Sequence, residues 1–125
     1  MASSFDISAA KRRLDEATRA RERALHDRYA KAVHDARAIV DMIAATYHPL
    51  RIWQWGSLLD ERRFREISDI DIAIEGITDA QTFFALYGDA LQLSMFSLDI
   101  VQMEKIEPEF ALAIRNKGKI VYERS

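Results

Sequence analysis

Apolar residues in the first third of the chain recur at gaps of three and four: Leu25, Tyr29, Ala32, Ala36, Ile39 or Val40, Ile43 and Tyr47. Such gaps gather side chains on one face of an α-helix. Ala, Arg, Glu, Lys and Leu dominate from Ile7 to Tyr47, and Gly and Pro are absent there. The spacing therefore predicts one helix from Ile7 to about Tyr47. Asp6 or Ser8 can cap its start by accepting backbone N–H bonds, and His48-Pro49 should end it. Before Leu25 the stripe is thin, with Leu14, Ala17 and Ala20 among many charges. Those first turns are expected to project, to pair with another chain or to fray.

Beyond Pro49 the period changes from helix to strand. Arg51 to Trp55 is bulky and alternating, and Gly56-Ser57 breaks it sharply. Residues 57–68 read as a short helix and loop. Ile70, Ile72 and Ile74 form the apolar side of a second strand, with Asp69, Asp71 and Ala73 on the other side. Asp79 caps a helix expected to run to about Tyr87 and to stop at Gly88. A third strand should cover Phe96 to Gln102. Pro108 suits the first turn of a helix running to about Asn116, and Lys119 to Tyr122 reads as a last strand. The expectation is α+β: a small mixed β-sheet with helices packed mainly on one face, preceded by a long N-terminal helix. Residues 1–48 would form the helical extension and 49–125 one compact domain; no internal repeat or linker interrupts them.

Composition narrows the chemistry. A chain of 125 residues with ordinary apolar and charged content is most simply one domain. There is no cysteine, which removes disulfides and thiolate metal sites and fits a reducing cytoplasm. Met1 to Ser8 lacks the blocks of a signal peptide. No apolar run approaches the roughly 18 residues that span a membrane. The net charge is −2, yet residues 1–40 carry nine Lys/Arg against six Asp/Glu. That basic arm could meet an acidic partner or nucleic acid, but a solvated helix face is the favoured reading. His26, His34 and His48 show no zinc spacing.

The chemical signal lies in Gly56-Ser57 and Ser68-Asp69-Ile70-Asp71-Ile72. Aspartates two apart on a strand point to the same face. Two such carboxylates repel unless one takes a proton or a cation sits between them. Hard oxygen donors suit Mg²⁺, which takes few carboxylates and keeps water and substrate phosphates. Asp99 stands alone in the apolar run Ser97-Leu98-Asp99-Ile100-Val101 and needs a partner. It could share the metal or act as a general base. Gly56 lets backbone approach a ligand, and Ser57 adds a hydroxyl and an N–H where phosphate oxygens would sit.

This block resembles the polymerase-beta-like nucleotidyltransferase superfamily, especially its minimal bacterial and archaeal, antitoxin-like members. The family pattern is Gly-Ser, a gap of about ten residues, Asp-apolar-Asp-apolar and a later Asp. The resemblance covers about Ile52 to Val101. It implies that Asp69 and Asp71 bind two Mg²⁺ ions, that Asp99 binds one of them, and that Gly56 and Ser57 meet the triphosphate of ATP or another nucleoside triphosphate. Ser68 is read chiefly as a turn residue beside that nucleotide site. Many minimal members carry Arg-Gly shortly after Gly-Ser. Leu58-Leu59-Asp60-Glu61 stands there instead, leaving Arg62, Arg63 or Arg65 as candidate phosphate contacts.

Two functions follow from the resemblance. One is Mg²⁺-dependent transfer of a nucleoside monophosphate, AMP from ATP, to an acceptor such as a tyrosine on a partner HEPN-domain toxin. The other is an antitoxin-like binding subunit that neutralises its partner by contact. Homo-oligomerisation through the N-terminal helix is a further expectation, and no membrane partner is expected. A nucleic-acid partner is disfavoured by the acidic remainder of the chain.

Overall fold

The computed structural model describes residues 6–125. The leader reading on Met1 to Ser8 falls largely on residues 1–5, outside the described residues. Helix α1 spans Ile7–Tyr47. Of the two capping candidates Asp6 takes the role, its Oδ1 accepting from the Ala9 N–H at 3.1 Å. The helix ends as expected at His48, which turns into the left-handed region at φ 50° before Pro49. The apolar stripe sinks into the main core at Ala32, Ala36, Ile39, Val40 and Ile43, and Leu25 and Tyr29 pack at its margin. Ahead of Leu25 the side chains are mostly exposed. The helix forms there without frayed hydrogen bonding, and roughly 27 Å of it stands clear of the body at a rise of about 1.5 Å per residue.

Four strands form one mixed sheet: β1 (Arg51–Trp55), β2 (Ile70–Glu75), β3 (Leu98–Gln102) and β4 (Lys119–Glu123), in the order β3-β2-β1-β4. β1 runs antiparallel to β2 and β4, and β2 runs parallel to β3. A parallel pair needs a crossover, which α2 (Ala80–Leu91) supplies. Helix α3 (Pro108–Lys117) links β3 to β4.

The two-residue alternation of the strands sorts the sheet into two faces. Ile52, Ile70, Ile72, Ile74 and Ile100 meet α1 and α2 in the larger core. Trp53 and Ala73 meet Met103 and Ile114 of the α3 side in a smaller one. Helices therefore cover mainly one face, as the sequence pattern implies, and α3 covers only part of the other.

Two boundaries differ from expectation. Helix α2 passes through Gly88 to Leu91. A glycine inside a helix costs about 1 kcal/mol, but Leu86 and Ala90 on either side are fully buried, and that burial outweighs the cost. β3 starts at Leu98 rather than Phe96. The Phe96 N–H is held by Ser94 Oγ at 3.1 Å, and its ring lies 4.6 Å beneath the Arg28 guanidinium, so this residue belongs to the preceding turn.

One buried charge was not foreseen. Asp35, on α1, is almost wholly buried. Lys31 Nζ donates to it at 2.9 Å and Ser94 Oγ at 2.7 Å, tying the α2–β3 turn to the helix. Burial works against its charge, but the bonds from Lys31, Ser94 and His34 outweigh burial and hold its carboxyl below the usual range. Among the described residues, no helix is long and apolar enough to cross a membrane.

Candidate active site

Register brings the acidic residues together. Asp71 lies directly across from Asp99 on the parallel pair β2·β3, and across from Trp55 on the antiparallel pair β1·β2. Asp69 precedes β2 by one residue and shares the face of Asp71, two positions on. The isoleucines between and after them point into the opposite core. The alternation that builds the sheet thus delivers three carboxylates to the face that α3 leaves partly open.

Gly56 borders this face. It sits at φ +82°, a conformation that L side chains rarely adopt, and a Cβ there would fall 2.1 Å from Asp71 Oδ2. Only glycine combines that backbone with so close an approach to a carboxylate. Gly56–Leu59 then winds as a single 3-10 turn that carries Ser57. Its anchor is Leu58, buried in the main core, whose carbonyl accepts from the Tyr29 phenol at 3.0 Å.

The electrostatics show strain. Asp71 is 9% exposed. Burial foremost, then the charges of Asp99 and Asp69, pushes its carboxyl up to about 7. Asp99 is raised too, by burial and by the charge of Asp69. No hydrogen-bond donor among the described residues relieves Asp71. No group of three or more His, Cys, Asp or Glu side chains among those residues is placed to hold a metal ion. The Asp71–Asp99 pair offers hard oxygen donors of the kind that a divalent cation takes together with water and phosphate. A cation there would relieve the repulsion that otherwise favours a proton.

The loop residues take separate places. Ser68 Oγ accepts from the Arg65 N–H at 2.8 Å, a turn closure. The Arg62 guanidinium folds onto Asp60, with Nε 3.3 Å from Oδ1. Arg65 donates to the Arg62 and Phe64 carbonyls, and Arg63 is exposed. Trp53 is core and donates to Glu75 Oε1 at 3.1 Å. Trp55 is half-buried beside Asp71 and stands edge-on to Phe110 at 5.1 Å. Its Nε1 is a buried donor with no partner among the described residues. The Asp71–Trp55 pairing could have been found only from the strand register, which sequence spacing does not give.

The four-stranded mixed sheet thus carries a glycine-serine turn beside an acidic strand pair. The sequence pattern described as Polymerase beta, Nucleotidyltransferase matches residues 38–125. The chain belongs to that family. Among solved structures it resembles a toxin–antitoxin crystallised with AMP-PNP, with a TM-score of 0.59 and 19% identity over 72% of this chain and 74% of that one. It resembles equally a mutant of the toxin–antitoxin MntA–HpeT, with a TM-score of 0.59 and 16% identity over the same shares. At those identities the likeness speaks for the fold. No curated protein sequence matches the chain.

Proposed function

We propose that this protein transfers a nucleoside monophosphate, AMP from ATP, to a hydroxyl of a partner protein, as the enzymatic antitoxin of a toxin–antitoxin pair. The observation that carries the reading is the unrelieved carboxylate face formed by Asp71 and Asp99 with Asp69 beside it. In this reading Asp69 and Asp71 hold two Mg²⁺ ions, and Asp99 supplies a further oxygen and takes the proton of the attacking hydroxyl. Bound Mg²⁺ would neutralise phosphate charge and steady the departing pyrophosphate. Gly56 leaves room for the triphosphate beside Asp71, and Ser57 offers it a hydroxyl. The similar structures support the biological setting, since both are toxin–antitoxin complexes and one holds a nucleotide analogue. A tyrosine of a HEPN-type toxin is the acceptor this reading favours, and the cytoplasm is the compartment.

The test is incubation with α-labelled ATP, Mg²⁺ and candidate partner proteins. Label should move to the partner and vanish in the Asp69→Ala/Asp71→Ala double variant; transfer that survives in that variant would overturn the assignment.

A second reading has its own support: neutralisation by contact alone. The place after Gly56-Ser57 lacks arginine, Arg62 is paired with Asp60, and Arg65 is committed to loop carbonyls. A phosphate clamp lost there slows transfer without abolishing nucleotide binding. Full neutralisation by the double variant would favour this reading over catalysis.

A further inference from the structure

On the α1 side of the sheet, behind the Gly56–Leu59 turn, lies a hollow of about 410 Å³. Its apolar walls are Val33 and Val40 of α1, Leu58 and Leu59 of the turn, and Val121 of β4; Ile120 borders it but pairs with Trp53, on the other face of the sheet. The hollow is separate from the carboxylate face. Asp69, Asp71 and Asp99 do not line it, and Gln54, which does, pairs with Ile72 on the other side of the sheet from Asp71.

The charge of the hollow is one-sided. Arg37 and Lys119 are its charged lining residues, and both are cations. Among the described residues neither takes part in an ion pair. Val33 is left 42% exposed. Apolar surface gains about 25 cal/mol per Å² when covered, and an unpaired guanidinium or ammonium gains most from an anionic acceptor. The volume falls within the roughly 300–1,000 Å³ of small-ligand sites, which combine apolar walls with a few polar groups.

We propose that this hollow binds a small organic anion. Its apolar body would lie against Val33, Val40 and Leu59, and its carboxylate or phosphate would sit between Arg37 and Lys119. The ligand would also bear on the turn that carries Ser57, because Leu58 and Leu59 belong to both.

The full chain, held in chelator, would be titrated with 2-naphthoate, AMP and inorganic phosphate while methyl resonances and amide exchange are followed. 2-Naphthoate or AMP should shift the methyls of Val33, Val40 and Leu59 and slow exchange of the Leu59 and Asp60 amides. Which of the two binds more tightly distinguishes a carboxylate from a phosphate ligand. Affinity should fall at least tenfold in Arg37→Glu/Lys119→Glu, and by less in Arg37→Ala/Lys119→Ala, whose milder change guards against a folding defect. The proposal fails if neither organic anion shifts those methyls, if both variants bind as the parent does, or if inorganic phosphate binds as tightly as the organic anions.

Discussion

Asp71 and Asp99 face one another across the parallel pair β2·β3, with no residue between them in register. Asp71 titrates near 7, whereas in an unfolded chain it would titrate near about 3.9. Between those values the folded state holds the extra proton, so stability falls as pH rises through this window and levels off above it. In chelator, melting should drop from pH 5 to pH 8, and Asp71→Asn should melt higher than the parent at pH 8. The displacement alone corresponds to about 4 kcal/mol, which the open side of the face reduces to about 1–2 kcal/mol. Mg²⁺ added at pH 8 should recover much of the loss. Melting curves for parent and variant that coincide at pH 8 in chelator would contradict the charge repulsion described above.

Gly56→Ala tests the closeness of the turn to Asp71. The added carbon must displace a carboxylate that it would meet at 2.1 Å, at a backbone angle unfavourable to alanine. The expected result is a folded protein about 1–3 kcal/mol less stable, with affinity for Mg²⁺·ATP reduced at least about tenfold, or about 1.4 kcal/mol. Calorimetry and far-UV circular dichroism on the same sample separate the two effects. Affinity equal to that of the parent would show that the turn can retreat from Asp71.

Asp35 makes a claim about stability apart from the site. Asp35→Ala leaves Ser94 Oγ and Lys31 without their acceptor and should cost about 2–4 kcal/mol in urea unfolding. Lys31→Ala, which removes one exposed partner and leaves Ser94 and His34, should cost less than about 1 kcal/mol. The folded carboxyl titrates below its ordinary value. Its contribution is therefore present above about pH 4 and disappears as pH falls through the folded value. Equal losses from the two substitutions would mean that the ion pair, rather than the Ser94 tie, holds the turn.

Most elements were readable because their signals are local. The Ile70-Ile72-Ile74 alternation, the Asp79 cap and Pro108 at a first helical turn each act within a few residues, and each element formed where its signal stood. That Asp69 and Asp71 share a face was legible for the same reason, since they stand two apart along the chain; the meeting of Asp71 with Asp99 rests on the register of β2 with β3. Gly88 misled because burial of Leu86 and Ala90 is a tertiary fact that overrides a local preference. Asp35 shares the three-and-four spacing of the buried alanines and isoleucines around it but is polar, so the apolar pattern passed over it, and its partner Ser94 lies 59 residues away. The order β3-β2-β1-β4, and with it the meeting of Trp55 and Asp71, rests on long-range pairing that no local pattern encodes.

That meeting supports a comparison between two tryptophans on one strand. Trp53 Nε1 donates to Glu75 at 3.1 Å, while Trp55 Nε1 is buried without an acceptor among the described residues. Phenylalanine removes the N–H in both cases and keeps an aromatic ring. At Trp53 the substitution forfeits a bond to a charged acceptor and leaves Glu75 with fewer donors, a loss of about 1.5–3 kcal/mol. At Trp55 it removes an unpaired buried donor, which itself carries a penalty of about 1–3 kcal/mol, and this offsets the packing lost with the smaller ring. Trp53→Phe should therefore destabilise clearly more than Trp55→Phe in urea unfolding, with Trp55→Phe within about 1 kcal/mol of the parent. If Trp55→Phe is the more damaging of the two, the Trp55 N–H has an acceptor in solution, and a water or ligand oxygen beside Asp71 is where it should be sought.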